Sequence, residues 1–427
     1  MRIDKNTTIR LGDRNIVKIK IGDSVIWQKT TEPVVGPDYF YIESLGDGNT
    51  ISVINQGNGY TSGVTPTLEY STDKNTWNTI TFDWTYGTHT TELPVKLNTG
   101  GKMYFRNDTR KFSNLYDKYI TFSSSVSSNV GGDIRTLSNY LDVNSETTVQ
   151  TGMFYYLFYN NKKIVDASNL RLPYTTLASN CYEYMFYGCT SLTTVPELPA
   201  TKLANYCYQY MFYGCTSLTT APELPVTTLA DYCYSNMFNG CTSLTTTPEL
   251  PATTLTSNCY RDMFNGCTSL TTAPSLPATT LAGSCYNQMF RGCTSLTTAP
   301  ELPATTLTSN CYDGMFYGCT SLVNAPTLPA TTLADGCYFN MFSGCSSLTT
   351  APTLPATTLA DYCYYNMFGY CTKLNSITVY ADDISAFDCT TEWLSGVASS
   401  GTFRNLGTAT YPTGASGIPS GWTEVKN

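Results

Sequence analysis

Histidine is almost missing from this chain: 427 residues hold one, His89. Charge is scarce too, with Asp, Glu, Lys and Arg at 13% and a net charge of −8. A lone His cannot build a His-rich metal centre and leaves a Ser-His-Asp triad no choice of base. His89 sits in Tyr86-Gly87-Thr88-His89-Thr90, which reads as an exposed turn. There is no Gly-rich phosphate loop with its lysine and no G-x-S-x-G elbow. No apolar run is long enough to span a bilayer. The first 28 residues carry Arg2, Lys5, Arg10, Arg14, Lys18 and Lys20 without an apolar leader core, so neither membrane insertion nor signal-peptide export is expected. From Leu177 to Ser376 four Lys/Arg stand against ten Asp/Glu, the wrong sign for nucleic acid. Asp382-Asp383 is the one adjacent acidic pair. It reads as a turn rather than a glycosidase pair. These absences point to a protein without catalysis, metal or cofactor.

What is abundant is cysteine, 17 residues in strict order. Cys181, Cys207, Cys233, Cys259, Cys285, Cys311, Cys337 and Cys363 are each 26 apart, and a second series from Cys189 to Cys371 keeps the same step. A fixed period in this range means a solenoid, whose coils bury their apolar edges against one another. Within a coil, Cys181, Tyr182, Met185 and Phe186 share one face of an expected two-turn helix. Ser179 and its equivalents Asn205, Asp231, Ser257, Ser309, Asp335 and Asp361 read as N-caps, and Gly188 as the left-handed stop. Leu192, Val195 and Leu198 predict a short strand, with Pro196 and Pro199 at a corner. Met153 to Pro173 is a worn copy with two extra residues, and Cys389 with Trp393-Leu394 a second one. The C-x7-C spacing is not that of a zinc site. Same-column cysteines would stand about 5 Å apart, so disulfides stay open beside a ladder of buried free thiols.

The other segments follow from pattern. Residues 1–29 read as a three-stranded meander punctuated by Gly12-Asp13 and Gly22-Asp23, with Val17, Ile19, Ile21, Val25 and Trp27 as candidate attachment residues. It holds seven Lys/Arg against three Asp/Glu, suited to an acidic protein surface. Residues 30–38 read as a linker and 39–108 as an immunoglobulin-like β-sandwich. Residues 109–150 read as an irregular connector with a short helix near Ile134 to Tyr140. The solenoid takes 151–398: a degenerate coil at 151–176, eight regular coils at 177–376 and a degenerate coil at 377–398. The tail 399–427 is expected to pack on the last coil.

Coil positions that change from copy to copy are the candidate recognition surface. They are the two residues after each Cys-Tyr and the residue before each Gly. Tyr184, Tyr187, Tyr210, Tyr213, Asn236, Arg261, Arg291, Tyr317 and Tyr365 are the candidate ligand-binding residues. Such side chains on an extended face suit a glycan or a protein. The unconstrained drift of an outer face competes with that reading.

The run Cys-Tyr-x-x-Met-Phe-x-Gly-Cys-Thr-Ser-Leu-Thr-Thr-x-Pro-x-Leu-Pro, as at Cys207 to Pro225, resembles the BspA-like (Treponema-type) leucine-rich repeats. It departs from them in the Pro-x-Leu-Pro corner and in Met-Phe where many members carry Ala-Phe. The resemblance implies an α/β leucine-rich-repeat solenoid used for surface adhesion or receptor binding. Gly417-Ile418-Pro419-Ser420-Gly421-Trp422-Thr423 is similar to the ends of proteins encoded by gut bacteria and their phages. The N-terminal strands resemble the first module of many phage virion proteins. Together these imply a virion-associated tail- or head-fibre-like protein, assembled in the host cytoplasm. Its partners would be other virion proteins and a host surface glycan or protein. A bacterial cell-surface adhesin and a purely structural capsid or tail decoration are the rivals. No heptad specifies a homo-oligomer, which stays open.

Overall fold

A computed structural model describes residues 10–11, 14–15, 18–21, 24–28, 38–57, 68–107, 112, 119–143 and 148–426. They fall into two compact units, Met1–Asp38 and Tyr39–Asn427.

In the first unit the expected three-stranded meander is two hairpins. Strand β1 (Arg10–Leu11) pairs with β2 (Arg14–Asn15), and β3 (Lys18–Ile21) with β4 (Ser24–Gln28), both antiparallel. Gly12-Asp13 and Gly22-Asp23, expected as turns, lie outside the described residues. The expected linker lies outside the described residues, apart from Asp38.

The second unit opens with strands β5 (Phe40–Ser44), β6 (Asn49–Gly57), β7 (Leu68–Ser71), β8 (Asn78–Ile80), β9 (Gly87–Leu97) and β10 (Lys102–Arg106). Strands β11 (Tyr119–Ser124), β12 (Ser128–Asp133) and β13 (Ile164–Arg171) complete two sheets, ordered β13-β12-β5-β10-β7-β8 and β11-β6-β9. Phe40, Phe105 and Phe122 meet between them, with ring centres 4.7 to 5.9 Å apart. This corrects the immunoglobulin-like module at 39–108 and the irregular connector at 109–150, because β11 and β12 come from the connector. Gly131 and Gly132 hid β12. A Cβ on Gly131 would lie 2.4 Å from the Tyr41 hydroxyl, and Gly132 has φ +84° against the Tyr39 backbone. The expected short helix is present as α1 (Thr136–Asn139), followed by a 3₁₀ turn at Tyr140–Asp142.

Strand β13 belongs to the worn coil. It holds the two extra residues and lacks proline, so it forms a full strand and runs parallel to β12. In later coils Pro196, Pro199 and their equivalents remove ladder donors. There the expected strand shrinks to single parallel bridges, such as Thr220 with Thr246 and Thr298 with Asn324.

The expected helix is a correction of kind. No coil holds an α-helix among the described residues. From Asn180 to Cys189 the backbone N–H groups alternate between two partners. Those of Cys181, Glu183, Met185, Tyr187 and Cys189 bond the carbonyl three residues back; those of Asn180, Tyr182, Tyr184, Phe186 and Gly188 bond carbonyls of the next coil. Left-handed residues recur every fourth position, at Asn180 (φ +59°), Tyr184 (φ +57°) and Gly188 (φ +69°). This is a run of overlapping turns rather than a helix, in which those closing at Cys181, Met185 and Cys189 carry the left-handed third residue of a type II turn. The inward residues Cys181, Tyr182, Met185, Phe186 and Cys189 keep a period of four, which the turns match and a 3.6-residue helix would not. The expected N-caps accordingly cap nothing. Asn205 Oδ1 accepts the N–H of Asp231 at 3.2 Å, and Asp231 Oδ1 accepts that of Ser257 at 3.1 Å, each one coil on.

Inside the stack, side chains form columns. Tyrosines from Tyr182 to Tyr364 stack with centres 5.7 to 6.1 Å apart, closed by Phe154 at one end and Trp393 at the other. All 17 cysteines are buried and unpaired. In the second series each thiol donates to a phenylalanine carbonyl of the preceding coil, as Cys215 Sγ to Phe186 O at 3.2 Å. The carbonyl left open on the first coil, Leu157 O, accepts the N–H of Phe122 on β11 at 2.8 Å. The β-domain is thus the cap at that end. At the other end β14 (Ser376–Val379), β15 (Gly401–Asn405) and β16 (Trp422–Lys426) are parallel neighbours. The tail is therefore a further coil rather than a loose overlay.

Candidate functional site

The outward side of each turn run carries three columns. The first holds Glu183, Gln209, Ser235, Arg261, Asn287, Asp313, Phe339 and Tyr365. The second holds Tyr184, Tyr210, Asn236, Asp262, Gln288, Gly314, Asn340 and Asn366, all with φ between +47° and +58°. The third holds Tyr187, Tyr213, Asn239, Asn265, Arg291, Tyr317, Ser343 and Gly369. Neighbouring columns touch: Asn239 Nδ2 donates to Asn236 Oδ1 at 2.9 Å, Asn265 Nδ2 to Asp262 Oδ1 at 2.8 Å, and Arg291 Nη1 to Gln288 Oε1 at 2.7 Å.

The second column corrects the premise that non-repeating positions are free of structural demand. Its Asn, Asp and Gly are the residues that tolerate a left-handed backbone. Tyr184, Tyr210 and Gln288 depart from that preference, and the two tyrosines are held in a stack. Tyr156, Tyr184 and Tyr210 lie face to face at 4.9 and 4.7 Å. Beside them Tyr159, Tyr187 and Tyr213 stack at 5.0 and 4.6 Å. Tyr119 on β11 joins the near end, 4.8 Å from Tyr156. The ladder therefore begins on the β-domain and runs over three coils, half-buried along its length.

The remaining candidate residues are not in the ladder. Arg261 is exposed and holds Asp262 Oδ2 through Nε at 3.3 Å. Arg291 lies over the Tyr317 ring at 4.8 Å. Tyr365 stacks on Phe339 at 4.7 Å. Asn236 is only 7% exposed, so it forms floor rather than contact surface. Ile19 and Ile21 lie on β3 and Val25 and Trp27 on β4, while Val17 is outside the described residues.

Two carboxyls of the stripe are more buried than its pattern implies. Glu183 is 6% exposed, and burial pushes its pKa up to about 7 against a bond from Asn180. Burial likewise raises Asp313 to about 6, although Asn287 donates to it at 2.8 Å. Tyr156 and Tyr159 were legible: allowing for the two extra residues, they align with Tyr184 and Tyr187. Tyr119 was not, since only the fold brings β11 to that coil.

A second concave feature lies elsewhere on the coils. A groove of about 470 Å³ runs between Val195–Pro199 and Ala221–Pro225, with Glu197 and Glu223 among its lining residues. His89 is on β9 rather than in a turn, its Nδ1 3.5 Å from Asp83 Oδ2. Asp383 accepts the N–H of Ser385 two residues on, as a turn residue does, whereas Asp382 accepts that of Thr408, 26 residues on. Among the described residues no three His, Cys, Asp or Glu side chains are placed to hold a metal ion, and no helix is long and apolar enough to cross a membrane.

The model of one protein family, described as a BspA type leucine rich repeat region of six copies, matches residues 151–296 and 257–390. A search of the curated proteins and a search of the solved structures each found no match.

Proposed function

The chain belongs to the BspA-type leucine-rich repeat family, and from that premise we propose that it is a non-enzymatic adhesion protein whose outward stripe binds a host receptor. Repeats of this family commonly serve surface adhesion or protein–protein interaction. The observation that carries the reading is the contrast within each coil. Cys, Tyr, Met, Phe and Cys recur unchanged and buried, whereas the third column varies and places half-buried Tyr187 and Tyr213 and exposed Arg291 and Tyr317 on the outer side. Stacking needs no such variety, and recognition does.

The finer reading is a bacteriophage virion protein, assembled in the host cytoplasm and carried on the particle by residues 1–29. Three features support it: the strand, Gly-Asp and Trp27 pattern, the basic balance of this segment, and its place in a separate compact unit. Unpaired thiols suit assembly in a reducing compartment. The test uses the full chain, a chain lacking residues 1–29, and the combined Tyr184→Asn, Tyr210→Asn, Arg291→Ala, Tyr317→Ala variant, in which Asn is the residue that other coils carry at the two left-handed positions. Loss of host-cell binding in the combined variant, with melting retained, supports adhesion. Unchanged cell binding favours a structural decoration. Loss of particle incorporation in the truncated chain supports the virion reading. A truncated chain still found on particles removes the anchor, and export to a bacterial surface would replace virion with adhesin.

A further inference from the structure

The tyrosine ladder ends at a step. Tyr184 and Tyr187 cover one face each of Tyr210 and Tyr213, within 7° and 3° of parallel. In the next coil the same two columns hold Asn236 and Asn239. An amide is much shorter than a phenol, so the outer parts of the opposite faces of Tyr210 and Tyr213 have no ring over them. Below them the floor is fixed. Asn239 donates to Asn236, and Asn236 Nδ2 donates to Ser235 Oγ at 3.0 Å. One coil further, exposed Arg261 forms the opposite wall, tied to buried Asp262, whose carboxylate accepts from Arg261 and Asn265. Two coil steps separate the walls, about 10 Å at the spacing of hydrogen-bonded neighbours. That gap fits one six-membered ring at van der Waals distance from each side.

We propose that Tyr210, Tyr213, Asn236, Asn239, Arg261 and Asp262 form a subsite for one uncharged sugar residue of a glycan, which takes the place of the missing tyrosine rung. This rests on the adhesion reading and names the ligand class of the same stripe. The apolar C–H face of a sugar ring packs against an aromatic face, while its hydroxyls both donate and accept. The Asn239 amide and the Arg261 guanidinium offer both kinds of partner within this one step, above the buried Asn236 and Asp262. An uncharged sugar leaves the Arg261–Asp262 pair intact, whereas a charged one would compete with it.

The test uses the full chain with soluble hexamers of β-1,4-glucose, α-1,4-glucose, β-1,4-mannose, β-1,4-galactose and β-1,4-N-acetylglucosamine, titrated by calorimetry and by tyrosine difference absorbance. At least one should bind. The pair Asn236→Tyr, Asn239→Tyr extends the ladder into the gap, and the first coils show that tyrosine is tolerated at both positions. This filled variant should melt as wild type does and bind the sugar at least about tenfold more weakly, a change of one decade in Kd. Tyr210→Ala with Tyr213→Ala should weaken binding similarly and abolish the absorbance change. Absence of binding by wild type to every hexamer overturns the proposal, as does undiminished binding by the filled variant. Cell adhesion separates the two readings: a chain that adheres but binds no hexamer loses only the sugar assignment, while one that does neither loses both.

Discussion

Tyr184 and Tyr210 sit in a backbone region that costs a non-glycine residue roughly 1–2 kcal/mol. Aromatic stacking returns roughly 0.5–1.5 kcal/mol per pair, so the ladder offsets the strain that its own members create. Their stacks explain why aromatic residues stand where other coils use Asn, Asp, Gln or Gly. Glu183 shows the opposite balance, a buried carboxyl whose proton is held up to about pH 7. Its folded pKa is raised, so the folded state binds more protons than the unfolded chain between about 4.5 and 7. Stability must then fall as pH rises through that window. Glu183→Gln removes the effect. It should leave melting unchanged at pH 4 and stabilise the protein at pH 8 by roughly 3 kcal/mol. Melting curves of the two proteins that stay parallel from pH 4 to 9 would refute the buried-carboxyl assignment. None of this was legible beforehand, because a residue just after Cys-Tyr looked outward by pattern alone.

At the scale of the element, the turn run is the unit of construction. Half of its N–H groups close turns within the coil and half reach the next coil, so local and stacking bonds share one register. The sequence pattern located this element and its buried face correctly. It misnamed the conformation, because a period of four over nine residues is easily taken for 3.6. The left-handed positions carried the distinction, with Asn180, Asn258 and Asn310 preceding Cys and Asn236, Asp262 and Asn340 preceding Met. Deleting residues 260–285, one full period, should leave a folded protein with unchanged circular dichroism shape and a modestly lower melting temperature. Deleting 260–284 instead breaks the Tyr and Phe columns and the alternation of donors. That variant should lose cooperative melting, and a sharp transition would contradict the shared register.

Across the molecule, the decisive relation is between β-domain and coils in Tyr39–Asn427. A parallel pair joins β12 to β13, Phe122 bonds Leu157, and Phe40 and Phe122 pack on Phe158. Stacked repeats need a closed end, since an open edge pairs with other chains. Removing residues 39–147 should therefore yield soluble aggregates by light scattering. Removing 1–38 should leave Tyr39–Asn427 monodisperse, with melting unchanged within about 2 °C. A monodisperse product from the first deletion would show that the worn coil caps the stack unaided.

By itself the sequence determined the 26-residue period, the buried Cys, Tyr, Met and Phe columns, the family and the worn coils at both ends. Those depend on spacing, and spacing is written in the chain. The tertiary structure alone decided that the β-domain is a cap, that connector residues 119–133 belong to its sheets, and that the tyrosine ladder ends in an open step at Asn236 and Asn239. Each of these joins residues far apart in the chain or compares side-chain lengths across a stack, and no local pattern records which surfaces will meet.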